Sequence, residues 1–170
     1  VIVISVGFLM MLRDRQAALE MSWAQRDPLT ELSNRSAMVT GLQDVIGRCA
    51  HSKRPMALLM VDLDHFKQLN DSHGHLVGDQ AILKVSQVLV AHARVTDLVA
   101  RFGGEEFVVI LPDTPRELAG VIAHRLCTAI RDQPLCLASG EQVVLTASIG
   151  VHVCIPVQGA CWQSLLDAAD

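Results

Sequence analysis

The strongest constraint on the fold is a short stretch, Arg101-Phe102-Gly103-Gly104-Glu105-Glu106-Phe107, set between two apolar, β-branched runs. Leu98-Val99-Ala100 lies before it and Phe107 to Leu111 after it. Two such runs separated by a glycine pair predict a β-hairpin. The content of the turn is unusual: adjacent carboxylates follow the glycines, and Arg101 is the one basic residue beside them. Glycines admit positive φ and a close approach to a ligand. Carboxylates at a tight turn are hard oxygen donors suited to Mg²⁺ or Mn²⁺. The alternative is an ordinary solvated hairpin, because a short motif by itself is weak.

A second acidic feature ends the run Met56 to Val61, which reads as a central strand buried on both faces. Asp62-Leu63-Asp64 follows it, and acids at the end of a buried strand are held rigidly enough for a site. Asp64 has a structural alternative as a cap for a helix over His65 to Leu69; Asp62 has none.

The remaining elements follow from periodicity and punctuation. Asn34 is a plausible N-cap for a helix over Ala37 to Ala50. Asn70 to His75 reads as a polar loop whose histidines match no standard zinc spacing. Gly78-Asp79 precedes an amphipathic helix over Ala81 to Ala93, where Asp79 could simply favour the helix N-terminus. Thr114 is expected to cap a helix to Asp132, with Pro115 at its first position. Leu135 to Ala138 and Val143 to Cys154 read as a second hairpin, and a helix begins at Trp162. Helix, strand, helices, hairpin, helix, hairpin and helix make an α/β sandwich (α+β) with a mainly antiparallel central sheet flanked by helices.

Length and charge narrow the class. A chain of 170 residues with 51% apolar content accommodates one domain with a real core, plus a stalk. The net charge of −4 gives no basic field for nonspecific nucleic-acid binding. Five cysteines without C-x-x-C or metal spacing read as reduced thiols in a cytosolic compartment. The chain opens on Val1, and residues 1–12 are apolar apart from Ser5 and Gly7. That run is shorter than the roughly 20 residues of a bilayer span. With Arg13 and Arg15 immediately after it, the expectation is the end of a truncated transmembrane helix with the cytoplasmic side following. Residues 13–26 would then form a helical stalk, with the domain over 27–170 in the cytoplasm at the inner membrane.

Six motifs in order resemble the GGDEF family, the diguanylate cyclases. They are Asp27-Pro28-Leu29-Thr30-Glu31-Leu32-Ser33-Asn34-Arg35, Val61 to Asp71, Gly74 to Asp79, the Arg101 to Phe107 signature, Thr146 to Val151, and Leu165 to Asp170. The resemblance implies a fold like class III nucleotidyl cyclase catalytic domains. It also implies condensation of two GTP into cyclic di-GMP, with release of two pyrophosphates, across a homodimer.

By the same resemblance, Asp62 binds Mg²⁺ with the Leu63 carbonyl, and Glu105 is both a metal ligand and the acceptor of the 3′-hydroxyl proton. Glu106 supports the metal, and Lys67 steadies phosphate charge. Asn70 and Asp79 read guanine, whose O6 acceptor and N1–H and N2–H₂ donors suit an amide and a carboxylate. His75 lies near ribose or base, and Gly103 allows close approach. Arg94 and Asp97 stand where the family carries a product-inhibition site.

Glu at position 105 is a form typical of active members. Glu31 stands where the family's opening motif usually has glycine. A family helix bearing a lysine and an arginine for the triphosphate is expected beyond Asp170. Two other readings remain at this stage: a non-catalytic receptor for cyclic di-GMP or GTP, and a structural dimerisation module, which leaves the acids unexplained.

Overall fold

The computed structural model describes residues 8, 10–11 and 25–169. Among these, no helix is long and apolar enough to cross a membrane. The expected membrane-helix end and stalk fall largely outside the described residues.

Strand β1 (Met56–Leu63) is buried from Met56 through Val61, as its unbroken apolar run requires, and only Asp62 is exposed. It lies inside a four-stranded sheet with β2 (Leu98–Gly103), β3 (Glu106–Leu111) and β6 (Ala147–Cys154). The order is β2-β3-β1-β6, and every neighbouring pair is antiparallel. The alternation along β1 divides the core in two. Ala57, Leu59, Val61 and Leu63 pack with α3 (His75–His92) and α4 (Arg116–Arg131). Met56, Leu58 and Met60 pack with α1 (Arg35–Ser52) and α5 (Trp162–Asp167) on the other face. The expected sandwich and antiparallel sheet are thus present.

The N-cap of α1 is Asn34, whose side-chain oxygen accepts from the Ala37 N–H at 3.0 Å. Three other local expectations need correction. The polar stretch Asn70 to His75 is mostly helical: α2 (Phe66–His73) runs into α3 with Gly74 alone between them. Gly74 has φ +84°, and its N–H closes onto the Asn70 carbonyl at 2.8 Å. One residue in a conformation natural to glycine replaces a loop, and packing of Phe66, Leu69 and Val77 against the core overrides the weak helix preference of Asn, Asp and Ser. Gly78 and Asp79 therefore lie inside α3.

Thr114 does not cap α4. Pro115 holds the N-cap position, and the buried Thr114 hydroxyl donates to the Pro112 carbonyl at 2.8 Å. The second hairpin is short and separate. Strand β4 (Leu135–Cys136) pairs only with β5 (Gln142–Val143), while β6 pairs with β1. Thr146 breaks the run by sending its carbonyl to the Asp64 N–H at 3.0 Å.

Candidate active site

The signature turn and the end of β1 meet at one end of the sheet because the β1–β3 register places Asp62 opposite Glu106. Directly opposed residues share a face, so both carboxylates lie on the α1 side, in line with Met60 and Val108. Ser148 of β6 opposes Asp62 from the other neighbour. Two like charges across a ladder repel, a cost that an oxygen-binding cation offsets.

The turn itself is Gly104-Glu105, between Gly103 and Glu106 of the paired strands. Gly104 has φ +50°, so the left-handed backbone falls there. A Cβ on Gly103 would meet no atom within 4 Å; the space beside it is open, and its backbone is approachable. Glu105 is half-buried.

Arg101 reaches from the signature to the opening motif. Its guanidinium pairs with Asp27 at 3.1 Å and donates to the Gly104 carbonyl at 2.8 Å. Asp27 also accepts from the Thr30 N–H and hydroxyl, each at 2.8 Å. Burial works to raise the Asp27 pKa, but the Thr30 hydrogen bonds and Arg101 together hold it below the usual carboxylate value. The opening motif is thereby fastened to the signature turn. The Arg101 N–H strengthens this by donating to the Ser33 carbonyl at 2.9 Å.

Asp64 is no helix cap either. It accepts from the Ser148 hydroxyl at 2.7 Å, and that bond is the first reason its pKa is lowered. His65, with φ +58°, holds the N-cap position of α2, and no side chain caps that helix. The first-turn N–H groups of α2 thus remain beside the end of β1, with Lys67 exposed among them.

Asn70 lies within α2, and His75 and Asp79 are exposed on the first turns of α3. The buried Asn70 Oδ1 has no hydrogen-bond partner.

Arg94 and Asp97 lie apart from this site, before β2 and so at the opposite end of that strand from the signature. The Asp97 carboxylate accepts from the Arg94 backbone N–H at 2.8 Å rather than orienting its guanidinium. Both residues line an open cleft of about 600 Å³, shared with Arg26, Asp44 and Arg48.

Sequence reasoning missed Arg35 and Ser148 as neighbours of the site. Arg35 stacks over the Phe102 ring at 4.5 Å, and both border a cavity of about 150 Å³ that also touches Glu106 and Trp162. Arg35 follows the capping Asn34 directly, a position that could have marked it.

Among the described residues, no group of three His, Cys, Asp or Glu side chains is gathered as a ready metal cage. The donors present are nevertheless all oxygen. One or two carboxylates completed by phosphate oxygens and water is a usual arrangement for Mg²⁺, so the residues fit a divalent ion.

The fold and these acids define an α/β sandwich with a carboxylate hairpin at one sheet end. The chain belongs to the family described as diguanylate cyclase, GGDEF domain, matched over residues 24–170. It is 37% identical over 148 residues to the response regulator PleD of Caulobacter vibrioides, covering 86% of this chain and 32% of that protein. It is 40% identical over 128 residues to the diguanylate cyclase DgcP of Pseudomonas aeruginosa, covering 75% of this chain and 19% of that one. The chain therefore spans about a third or less of these relatives. Among solved structures, the coiled coil and GGDEF domain of DgcB from Caulobacter crescentus, in complex with c-di-GMP, superposes with TM-score 0.86 at 27% identity. That match covers 98% of this chain and 86% of the other.

Proposed function

We propose that this domain is a diguanylate cyclase, condensing two GTP into cyclic di-GMP with release of two pyrophosphates across a homodimer. The observation that carries the reading is the register pairing of Asp62 with Glu106 beside the turn that holds Glu105, in a chain of this family.

In this reading Asp62, Glu105, Glu106 and the Leu63 carbonyl would hold Mg²⁺, with Mn²⁺ also suited to the same donors. When bound there, the ion would supply charge to offset the triphosphate and to lower the pKa of the attacking hydroxyl. Glu105 accepts the 3′-hydroxyl proton as the 3′ oxygen bonds to the α-phosphorus of the other GTP and the bond to pyrophosphate breaks. Lys67 and the uncapped first turn of α2 steady phosphate charge, since helix N-termini favour anions. Asn70 and Asp79 read guanine, His75 borders ribose or base, and Gly103 leaves the backbone approachable. The cleft at Arg94 and Asp97 would take the product as a feedback inhibitor, with the guanidinium gripping a guanine edge or phosphate. The apolar run 1–12 followed by Arg13 and Arg15 supports tethering at the inner membrane, with this domain in the cytoplasm.

The test is conversion of GTP with Mg²⁺, followed by nucleotide separation, on this chain and on one extended beyond Asp170. Cyclic di-GMP from either supports the reading. Absence of product from both, in folded dimers, overturns it.

A further inference from the structure

We infer that Gly78 is a positioning residue for base recognition, acting through Asn70; this rests on the proposed reading of Asn70 as a guanine contact. Gly78 is buried inside α3 with an ordinary helical backbone, so no turn or positive φ requires glycine there. Glycine within a helix is disfavoured relative to alanine. The reason to keep it is space. A Cβ on Gly78 would collide with Asn70 Oδ1 and lie 2.9 Å from Asn70 Cγ and 3.2 Å from Phe66 Cζ. The Asn70 carboxamide therefore rests in a notch that exists only because residue 78 has no side chain.

The notch also orients the amide. Oδ1 is the buried end and has no hydrogen-bond partner. Nδ2 is then the end left for a ligand, and as a donor it suits the O6 acceptor of guanine. Asp79, the next residue along the same helix and exposed, is left to accept from the N1–H and N2–H₂ side. A methyl at position 78 would push the carboxamide out of its notch and spoil the reading at O6 alone.

The experiment titrates the chain, its G78A and N70A variants and the double variant with three Mg²⁺ triphosphates. These are GTP, inosine triphosphate (which keeps O6 and lacks the 2-amino group), and the 2,6-diaminopurine riboside triphosphate (which carries an amino donor in place of O6 and has no N1–H). G78A and N70A should each weaken GTP about tenfold, the size of one lost hydrogen bond. The double variant should lose no more than N70A alone. Both single variants should lose part of the preference for GTP over the diaminopurine analogue, the remainder resting on Asp79 and N1–H, and keep the preference for GTP over inosine triphosphate.

Additive losses in the double variant, equal losses for all three triphosphates in G78A, or no preference for GTP over the diaminopurine analogue in the unsubstituted chain would each overturn the inference while leaving the cyclase reading in place. Failure of the unsubstituted chain to bind GTP overturns that reading and the inference with it. If G78A alone does not fold, the comparison of G78A/N70A with N70A decides, because the collision is absent there. Equal GTP affinity supports the inference, and a further loss overturns it.

Discussion

Arg101 grips Asp27 at 3.1 Å across 74 residues of sequence, both side chains being only 15% exposed, while the same guanidinium holds the Gly104 carbonyl. One planar fork thus joins the beginning of the domain to the turn that presents Glu105. A fork of this kind holds a carboxylate and a carbonyl together, which the point charge of a lysine does not. Arg101→Ala should destabilise the chain by about 2–3 kcal/mol, because it leaves a half-buried carboxylate without its partner. Turnover should fall further than stability explains, since the Glu105 turn loosens. Arg101→Lys should recover part of the stability and little of the turnover. Urea melts and initial rates on the same samples check both. An Arg101→Ala enzyme with full rate would show that the clamp does not support the site.

Glu31 sits at φ +59° in the turn closed by Asp27, where its backbone carbonyl accepts from Arg26 at 2.8 Å. Left-handed backbone costs a side-chain-bearing residue about 1 kcal/mol and glycine almost nothing. Glu31→Gly keeps the carbonyl contact and should raise stability by about 0.5 kcal/mol, less than the full strain because glycine also gives the unfolded chain more freedom. The midpoint of urea unfolding measures it. A lower midpoint would mean that the Glu31 side chain stabilises the turn by some other contact.

Acid should weaken the fold through Asp27 and Asp64. Both carboxyls titrate below their ordinary value of 3.8 in the folded chain, Asp64 first through its Ser148 hydrogen bond and Asp27 through the Thr30 bonds and Arg101, which outweigh its burial. As pH falls, the unfolded chain takes up these protons before the folded chain does. The stabilisation is therefore fully present above about pH 5 and drains away as pH drops through 4 and below. Urea midpoints at pH 7, 5, 4 and 3 should show the decline, with a shallower acid limb in Ser148→Ala. An unchanged limb in that variant would rule out Asp64 as a contributor.

The features legible in the sequence were the local ones. An unbroken apolar run foretold β1 buried on both faces, and two β-branched runs around Gly-Gly foretold the β2–β3 hairpin. The Asn34 cap announces itself through the residue type and the helix after it. The misread residues are those whose partners are distant. For Asp64 the helix cap stays open as an alternative because Ser148, 84 residues away, cannot be seen from the local chain. Arg101 stands beside the signature acids in sequence, and its pairing with Asp27 is equally remote. The Asn70 to His75 stretch looked like a loop because its composition is polar, whereas packing of α2 on α3 and one left-handed glycine make it helical. For the site, the acids were evident as residues, but their apposition is a matter of strand register, and register between strands far apart in sequence is set by tertiary packing.

The apposition of Asp62 and Glu106 gives the last prediction. A ligand that binds only the folded chain raises its melting temperature by mass action. GTP with Mg²⁺ should therefore raise the melting temperature of the unsubstituted chain, and chelation of the ion should remove most of that rise. Asp62→Asn takes away one of the opposed anionic ligands, so its melting temperature should respond weakly to Mg²⁺. Glu105→Gln keeps Asp62 and Glu106 and should retain part of the response, while its turnover falls at least about hundredfold because an amide neither accepts the proton nor serves as an anionic ligand. The two variants separate holding the ion from moving the proton. Full turnover in Glu105→Gln would remove Glu105 from the chemistry, and an undiminished Mg²⁺ response in Asp62→Asn would remove Asp62 from the metal site.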